Sequence, residues 1–471
     1  AAVLNGTSAA SRVEISNGSL TLGANERIAN GAVVGIASNG TLNLAGNSET
    51  IGTLFGAGAI SLGAGRLTVD QSANSSYAGV ISGSGGLTKA GSGLLELTGV
   101  NTYTGPTLIT GGNLAVNGSI ASAGTTSNGG ILSGNGRVGG LTIGAGGILA
   151  PGNSIGVMNV AGNLTFAAGS IYSVEVTPTM ADLTQVTGTV TLQGGTVQVL
   201  AANGVYNPLT RYTILTATGG VTGAFAGVTS NLAFLTPTIE YQVGRVDLAL
   251  RRNDIAFTTV AQSPNQVSIA TALQTLAPGT ALFDSLLVQS ATGARTAFDA
   301  LNGEIYASMG SSLLLEGRQL RNAFLANGRT GATGLSIWAN AVDSNGHFDS
   351  SFAKQTAALD TERTGVVGGF AWAHDAVVIS IGGGASKGKY FQNDRNASAT
   401  VDSNYVGGQA GYTAGALKMQ VGASYSWHDV TTQRSVLFPG FANALHSTNE
   451  GHTTQLFGEV SYALLASDAG R

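Results

Sequence analysis

Residues 417–427 read LKMQVGASYSW. Successive side chains of a strand point to opposite faces. Leu417, Met419, Val421, Ala423, Tyr425 and Trp427 therefore share one side, and Lys418, Gln420, Gly422, Ser424 and Ser426 the other. An apolar face ending in aromatics, backed by a polar one, suits a strand with lipid on one side and a wet lumen on the other. A soluble antiparallel sheet with one solvated face alternates in the same way. Strand length favours the membrane reading, because about nine to eleven residues make a tilted bilayer crossing.

The same alternation recurs on both sides of this stretch. Leu456, Gly458, Val460, Tyr462 and Leu464 lie opposite Gln455, Glu459 and Ser461. Val366, Gly368, Phe370 and Trp372 alternate with Val367, Gly369, Ala371 and Ala373, and Val377, Ile379 and Ile381 begin another strand. Strands are expected near 335–343, 364–374, 376–390, 403–413, 416–428 and 453–465. The polar stretches 343–362, 386–402 and 428–452 are expected as loops or strand extensions. All the tryptophans, Trp338, Trp372 and Trp427, fall in this region, as expected of interfacial girdles. The lipid-face candidates are Leu417, Met419, Val421, Tyr425 and Trp427.

Upstream the period changes. In GARTAFDALNGEIYASMGSSLLLEGRQLRNAF (293–324), Phe298, Leu301, Ile305, Met309, Leu313, Leu320 and Phe324 recur at helical spacing. Asn302-Gly303 breaks or kinks that helix. From Glu304 to Phe324 it spans roughly 30 Å, about the thickness of a bilayer's hydrocarbon core. Glu304, Glu316, Arg318 and Arg321 exclude a lipid-facing helix. They are the candidates for a helix threaded through a polar pore, and an amphipathic helix on a soluble core is the plainer alternative. Shorter helices are expected at 265–275 and 279–290, split at Pro278-Gly279.

Residues 1–250 have a third texture. Short bursts recur, among them Leu67–Val69, Leu94–Leu97, Leu114–Val116, Leu141–Ile143 and Leu164–Phe166, mostly at solenoid-like intervals. Asn-Gly at Asn5, Asn17, Asn39, Asn117 and Asn135 supplies the positive φ of tight turns. This half carries nine acidic and seven basic side chains, fewer than a globular domain uses. Stacked rungs need few charges, since Asn, Ser and Thr can line their outer faces. A β-sandwich is the main rival.

Composition excludes several functions. Net charge is −4 and charged residues make up 10%, so no nucleic-acid footprint exists. Without Cys, neither disulfides nor thiolate metal sites form. No His precedes His347, so residues 1–346 cannot hold a Ser-His-Asp triad. His446 and His452 flank Glu450 and could hold a metal, but a solvated loop is the simpler reading. Gly382–Gly384 lacks the G-K-[ST] of a phosphate loop. Glu14, Glu26, Glu49, Asp70 and Glu96 could do carboxylate chemistry on a β-helix face, but show no paired spacing. The protein is expected not to be an enzyme, short of a catalytic region before Ala1, and no cofactor is expected.

Two segments resemble bacterial autotransporters, the type V secretion family. GSGLLELTGVNTYTGPTLITGGNLAVNG (91–118) is similar to their passenger-associated repeat, and ILAPGNSIGVMNVAGNLTF (148–166) to a rung near the passenger's C-terminal end. The resemblance implies a mainly β chain: a right-handed parallel β-helix, a helical linker and a partial antiparallel transmembrane β-barrel. The domains are then 1–169 passenger, 170–253 an autochaperone-like end piece, 254–332 helical linker and 333–471 barrel. It implies a self-exporting, adhesin-like surface protein, with the barrel in the outer membrane and the passenger outside the cell. The implied partners are outer-membrane lipid, the barrel-assembly machinery and a host or surface ligand. The alternative is a secreted β-solenoid enzyme acting on polysaccharide, or a carbohydrate-binding protein. The family's barrel has twelve strands and usually a terminal aromatic. The sequence is therefore expected to stop mid-domain at Arg471, and this fragment alone not to insert stably.

Overall fold

The computed structural model describes residues 1–202, 206, 210–327, 333–351 and 356–463. Two compact units emerge. One is Ala1–Ala256 with Pro278–Ala291, the other Phe257–Ala277 with Thr292–Arg471. The segment read as one linker, 254–332, is thus divided between them. Leu464 and residues 328–332 lie outside the described residues.

The first unit is a parallel β-solenoid. Its strands form three sheets, and through most of the unit each strand pairs with the third strand after it. Leu95, Leu114, Leu132, Leu149, Tyr172 and Val197 stack in register along one sheet, and all are fully buried. Within this column a turn takes from 17 residues (Leu132 to Leu149) to 25 (Tyr172 to Val197). Burying each such side chain contributes about 1.5–3 kcal/mol, gained only when the next rung lies on top.

One corner explains much of the glycine. A Cβ on Gly79, Gly99, Gly118 or Gly136 would lie 1.8, 2.1, 2.1 or 2.3 Å from the carbonyl oxygen of Gly58, Gly79, Gly99 or Gly118 one rung below. Only glycine lets the backbones stack that closely. The Asn117 side chain beside this column accepts from the Asn135 amide at 3.0 Å, and Asn135 from that of Val157 at 3.1 Å. The outer face of a second sheet carries a ladder of Thr50, Thr68, Thr88, Leu108, Thr126, Thr142, Thr165, Thr191 and Thr222 in continuous register. β-Branched hydroxyl side chains pair across strands and tolerate water, which is how so few charges suffice.

The far end closes by a change of pairing. Arg211–Ala217 receives Arg245–Arg252 antiparallel, and this pairs in turn with Leu235–Gln242. Helix α2 (Ala281–Leu287; α1 is Pro264–Gln274) belongs to this unit and buries Phe283, Leu286 and Leu287. The Arg252 guanidinium lies over the Phe283 ring at 4.9 Å. Pairing of a different kind ends the stack and leaves less open edge.

The second unit holds α3 (Ala291–Leu301), α4 (Glu304–Asn327) and six antiparallel strands in sequence order. The strands are β1 Gly334–Phe348, β2 Leu359–His374, β3 Val377–Gln392, β4 Ala397–Ala414, β5 Leu417–Phe438 and β6 Phe441–Tyr462. They are longer than the expected segments, because most of the polar stretches 386–402 and 428–452 continue the strands. No described helix is long and apolar enough to cross a membrane.

Candidate functional site: a helix in a polar trough

α4 packs against every strand of the sheet. Its buried stripe is Glu304, Ile305, Met309, Ser312, Glu316, Leu320 and Phe324, the period of one helical face. The wall facing it buries polar side chains: Arg363, Ser386, Ser403, Gln409, Gln420 and His428. Glycines make room for rings. A Cβ on Gly407 would lie 2.9 Å from the Phe324 ring.

Midway along the helix, Glu316 is 1% exposed. Its carboxylate accepts from Ser386 Oγ at 2.5 Å and Ser403 Oγ at 3.5 Å, and Arg363 lies 3.5 Å away. Arg363 also donates to the Tyr390 hydroxyl. His428 Nδ1 meets Ser403 Oγ at 2.8 Å and its Nε2 meets Thr453 Oγ1 at 3.0 Å. A buried charge needs a counter-charge and filled hydrogen bonds, and the wall supplies both to Glu316.

The two ends are also held by the wall. At the N-terminal end Glu304 accepts from the Ala357 amide at 2.8 Å. At the other end Phe324 packs against Trp338 at 5.4 Å and Phe457 at 6.4 Å. There Gln409 Nε2 donates to the Phe324 carbonyl at 2.6 Å, and Gln420 Nε2 to that of Leu325 at 3.3 Å. The last carbonyls of a helix have no partner within it, so the sheet caps α4.

Of the four candidate helix residues, Glu304 and Glu316 meet the wall. Arg318 is exposed, and Arg321 bonds to neighbouring Asn322 on α4. Of the five outer-face candidates, Met419, Val421 and Trp427 are exposed, while Leu417 and Tyr425 are half-buried. Leu335, Ile337, Ile381, Leu456 and Val460 extend the exposed apolar face. Trp338 does not join the girdle. Its position puts it on the inner face, where Nε1 donates to Ser380 Oγ at 3.0 Å.

Arg363, Arg395 and Arg434, which grip the helices, were not singled out from the sequence. Arginine in a polar strand extension gives no signal of its partner until the helix is in place.

The chemistry of a triad does not assemble here. The carboxylate beside the Ser403–His428 pair touches the serine, whereas a triad needs it on the imidazole. His446 and Glu450 lie four residues apart on β6, roughly 13 Å along an extended strand, too far to share a metal. No group of three metal-capable side chains occurs among the described residues.

Residues 337–470 match the family of the autotransporter β-domain, and residues 87–116 the passenger-associated transport repeat. The chain is 30% identical to an extracellular serine protease of Serratia marcescens, over 84% of this chain and 44% of that protein. It is 28% identical to a second extracellular serine protease of that organism, over 82% and 43%. The chain spans less than half the length of these relatives. Relatives with that name overturn the expectation that the protein is not an enzyme.

Proposed function

The chain is an autotransporter segment, a secreted passenger joined to an outer-membrane β-domain, and from that premise we propose that residues 333–471 conduct and then anchor the passenger while α4 fills the pore. The supporting observation is the inverted sheet. Its inner face pairs Arg363, Ser386 and Ser403 with Glu316, while its outer face exposes Ile337, Val421 and Leu456. Lipid accepts the second face and rejects the first. The outer-face candidates Leu417, Met419, Val421, Tyr425 and Trp427 would meet lipid, and barrel-assembly machinery would insert the sheet. Residues 170–253 would fold first outside, because the antiparallel hairpin at 235–252 gives the first parallel rung an edge to build on. Rungs 1–169 would then stack with no need of ATP.

The cargo's task follows from the relatives. The whole protein would be a secreted serine protease whose β-helix carries the catalytic part. Residues 1–346 contain no His, so a histidine-dependent triad needs residues beyond these. The adhesin-like expectation has less support than proteolysis.

Whole-cell shaving tests the export reading. Added protease should remove residues 1–250 and leave 304–324 protected. A product wholly soluble in the medium, with 335–463 cleaved without detergent, sinks it. Protease activity is tested on the full-length secreted product with casein. A serine-directed sulfonyl fluoride should abolish digestion, and a full-length product inert towards casein would refute it.

A further inference from the structure

The break between α3 and α4 is gripped from two sides. Arg434 of β5 donates through one guanidinium nitrogen towards the carbonyls of Ala300, Leu301 and Asn302, at 3.5, 3.1 and 2.7 Å. Its charge also lies over the Tyr306 ring at 5.9 Å, and the Tyr306 hydroxyl meets Thr432 Oγ1 at 3.3 Å. Arg395 pairs with Asp299 at 3.4 Å on the α3 side and reaches towards Glu304 at 3.9 Å on the α4 side.

A continuous helix offers a passing arginine nothing, because its carbonyls are already bonded to amides four residues on. At Asn302-Gly303 the ladder is interrupted, and three carbonyls with a partial negative charge come free. Resting on the pore-helix reading above, we propose that Arg434, with Arg395, is a register stop. The helix slides outward through the trough until its break reaches this arginine collar, and the match sets how far the chain travels. Arg434 is a positioning residue. Glu316 holds the same register through its side chain, and Gln409 and Gln420 each take one carbonyl at the helix's C-terminal end, whereas at the break a charged side chain of the wall reaches three backbone carbonyls at once.

Residues 1–471 contain no Cys, so no native thiol within them competes with engineered pairs. Ser308 Oγ lies 3.4 Å from Gln392 Nε2. In the full-length protein assembled in the outer membrane, Ser308→Cys with Gln392→Cys should cross-link, and Ser312→Cys with Gln392→Cys should not. Adding Arg434→Ala should cut the first cross-link at least fivefold and raise the second, the sign of a one-turn outward slip. Arg434→Lys should retain part of the native link. Asn302→Ala with Gly303→Ala, which removes the break and leaves the collar intact, should cause the same slip. A Cβ at Gly303 comes no closer than 3.4 Å to its neighbours, so that substitution introduces no clash. An unchanged pattern in both Arg434→Ala and the break-filled variant overturns the stop while leaving the pore helix standing. No Ser308–Gln392 link in the otherwise native protein, with heat-modifiable mobility intact, overturns the pore helix and the stop with it.

Discussion

The β-helix and the six-stranded sheet are built from the same extended backbone, and they turn it opposite ways. The β-helix hides Leu95, Leu114, Leu132 and Leu149 and shows a threonine ladder. The sheet hides Ser386, Ser403, Gln420 and His428 and shows Leu335, Ile337, Val421 and Leu456. Each half places its apolar side chains where water is absent. In the first that is between rungs, and in the second, on the export reading, it is outside the protein. Buried polarity then carries different weight in the two. In the solenoid it is local, as at Glu49, which accepts from the Arg27 and Ile28 amides. In the sheet it is the means by which the helix is held.

The largest expected break in this comparison is at Glu316. Glu316→Ala leaves Arg363 buried without its counter-charge, a loss of about 3–5 kcal/mol. It should lower the heat-modification temperature of the barrel in outer-membrane fractions. Glu316→Leu with Arg363→Met should recover most of that loss, and no recovery would show that the pair is not what holds the helix.

Leu149→Ala tests the opposite interior. Removing a fully buried side chain from a stacked rung should cost about 2–5 kcal/mol, read by urea-dependent pulse proteolysis of the surface-displayed β-helix, with barrel mobility unchanged. Val421→Lys probes the outer face of the sheet. On lipid it should cost about 2–4 kcal/mol near the midplane and reduce barrel assembly. A soluble sheet would accept it with no measurable change.

Asp182 sharpens the comparison by pH. Its carboxylate is buried and accepts from the Gly156 and Glu175 amides. Burial, the main cause, raises its pKa from 3.8 to about 7, against the lowering effect of those two hydrogen bonds. The folded state therefore holds the proton more tightly than the unfolded chain. That contribution is fully present below about pH 4, falls as pH rises towards 7, and changes by at most about 1.4 kcal/mol per pH unit. Pulse proteolysis at pH 5 and pH 8 should show a difference that Asp182→Asn reduces; an equal difference in the variant assigns it to other groups. The smallest effect belongs to the ladder. Thr142→Val, on an exposed face, should stay within about 0.5 kcal/mol, and a larger loss would make that face a contact surface.

Much of the fold was legible because strand and helix periods are local. Leu417 to Trp427 declared their alternation, and the bursts of the first half declared rungs. Where the strands end was not legible, because polar stretches such as 428–438 and 441–452 read equally as loops or as strand extensions until they pair with each other. The grouping of α2 with the β-helix was not legible either, since a seven-residue apolar stretch carries no address. Trp338 shows the limit most plainly. Composition placed it with the other tryptophans, but its position in β1 turns it inward onto Phe324.

The sequence by itself determined the order of textures, the two faces of each strand, the helix with its break at Asn302-Gly303, and the absence of any histidine before His347. These depend on neighbours a few residues apart. Only the tertiary structure decided which charges meet. Glu316 finds Arg363 and Ser386, and Arg434 finds the carbonyls at 300–302, across separations in sequence that no period encodes. The free energy of those pairs exists only once the sheet has excluded water from between them.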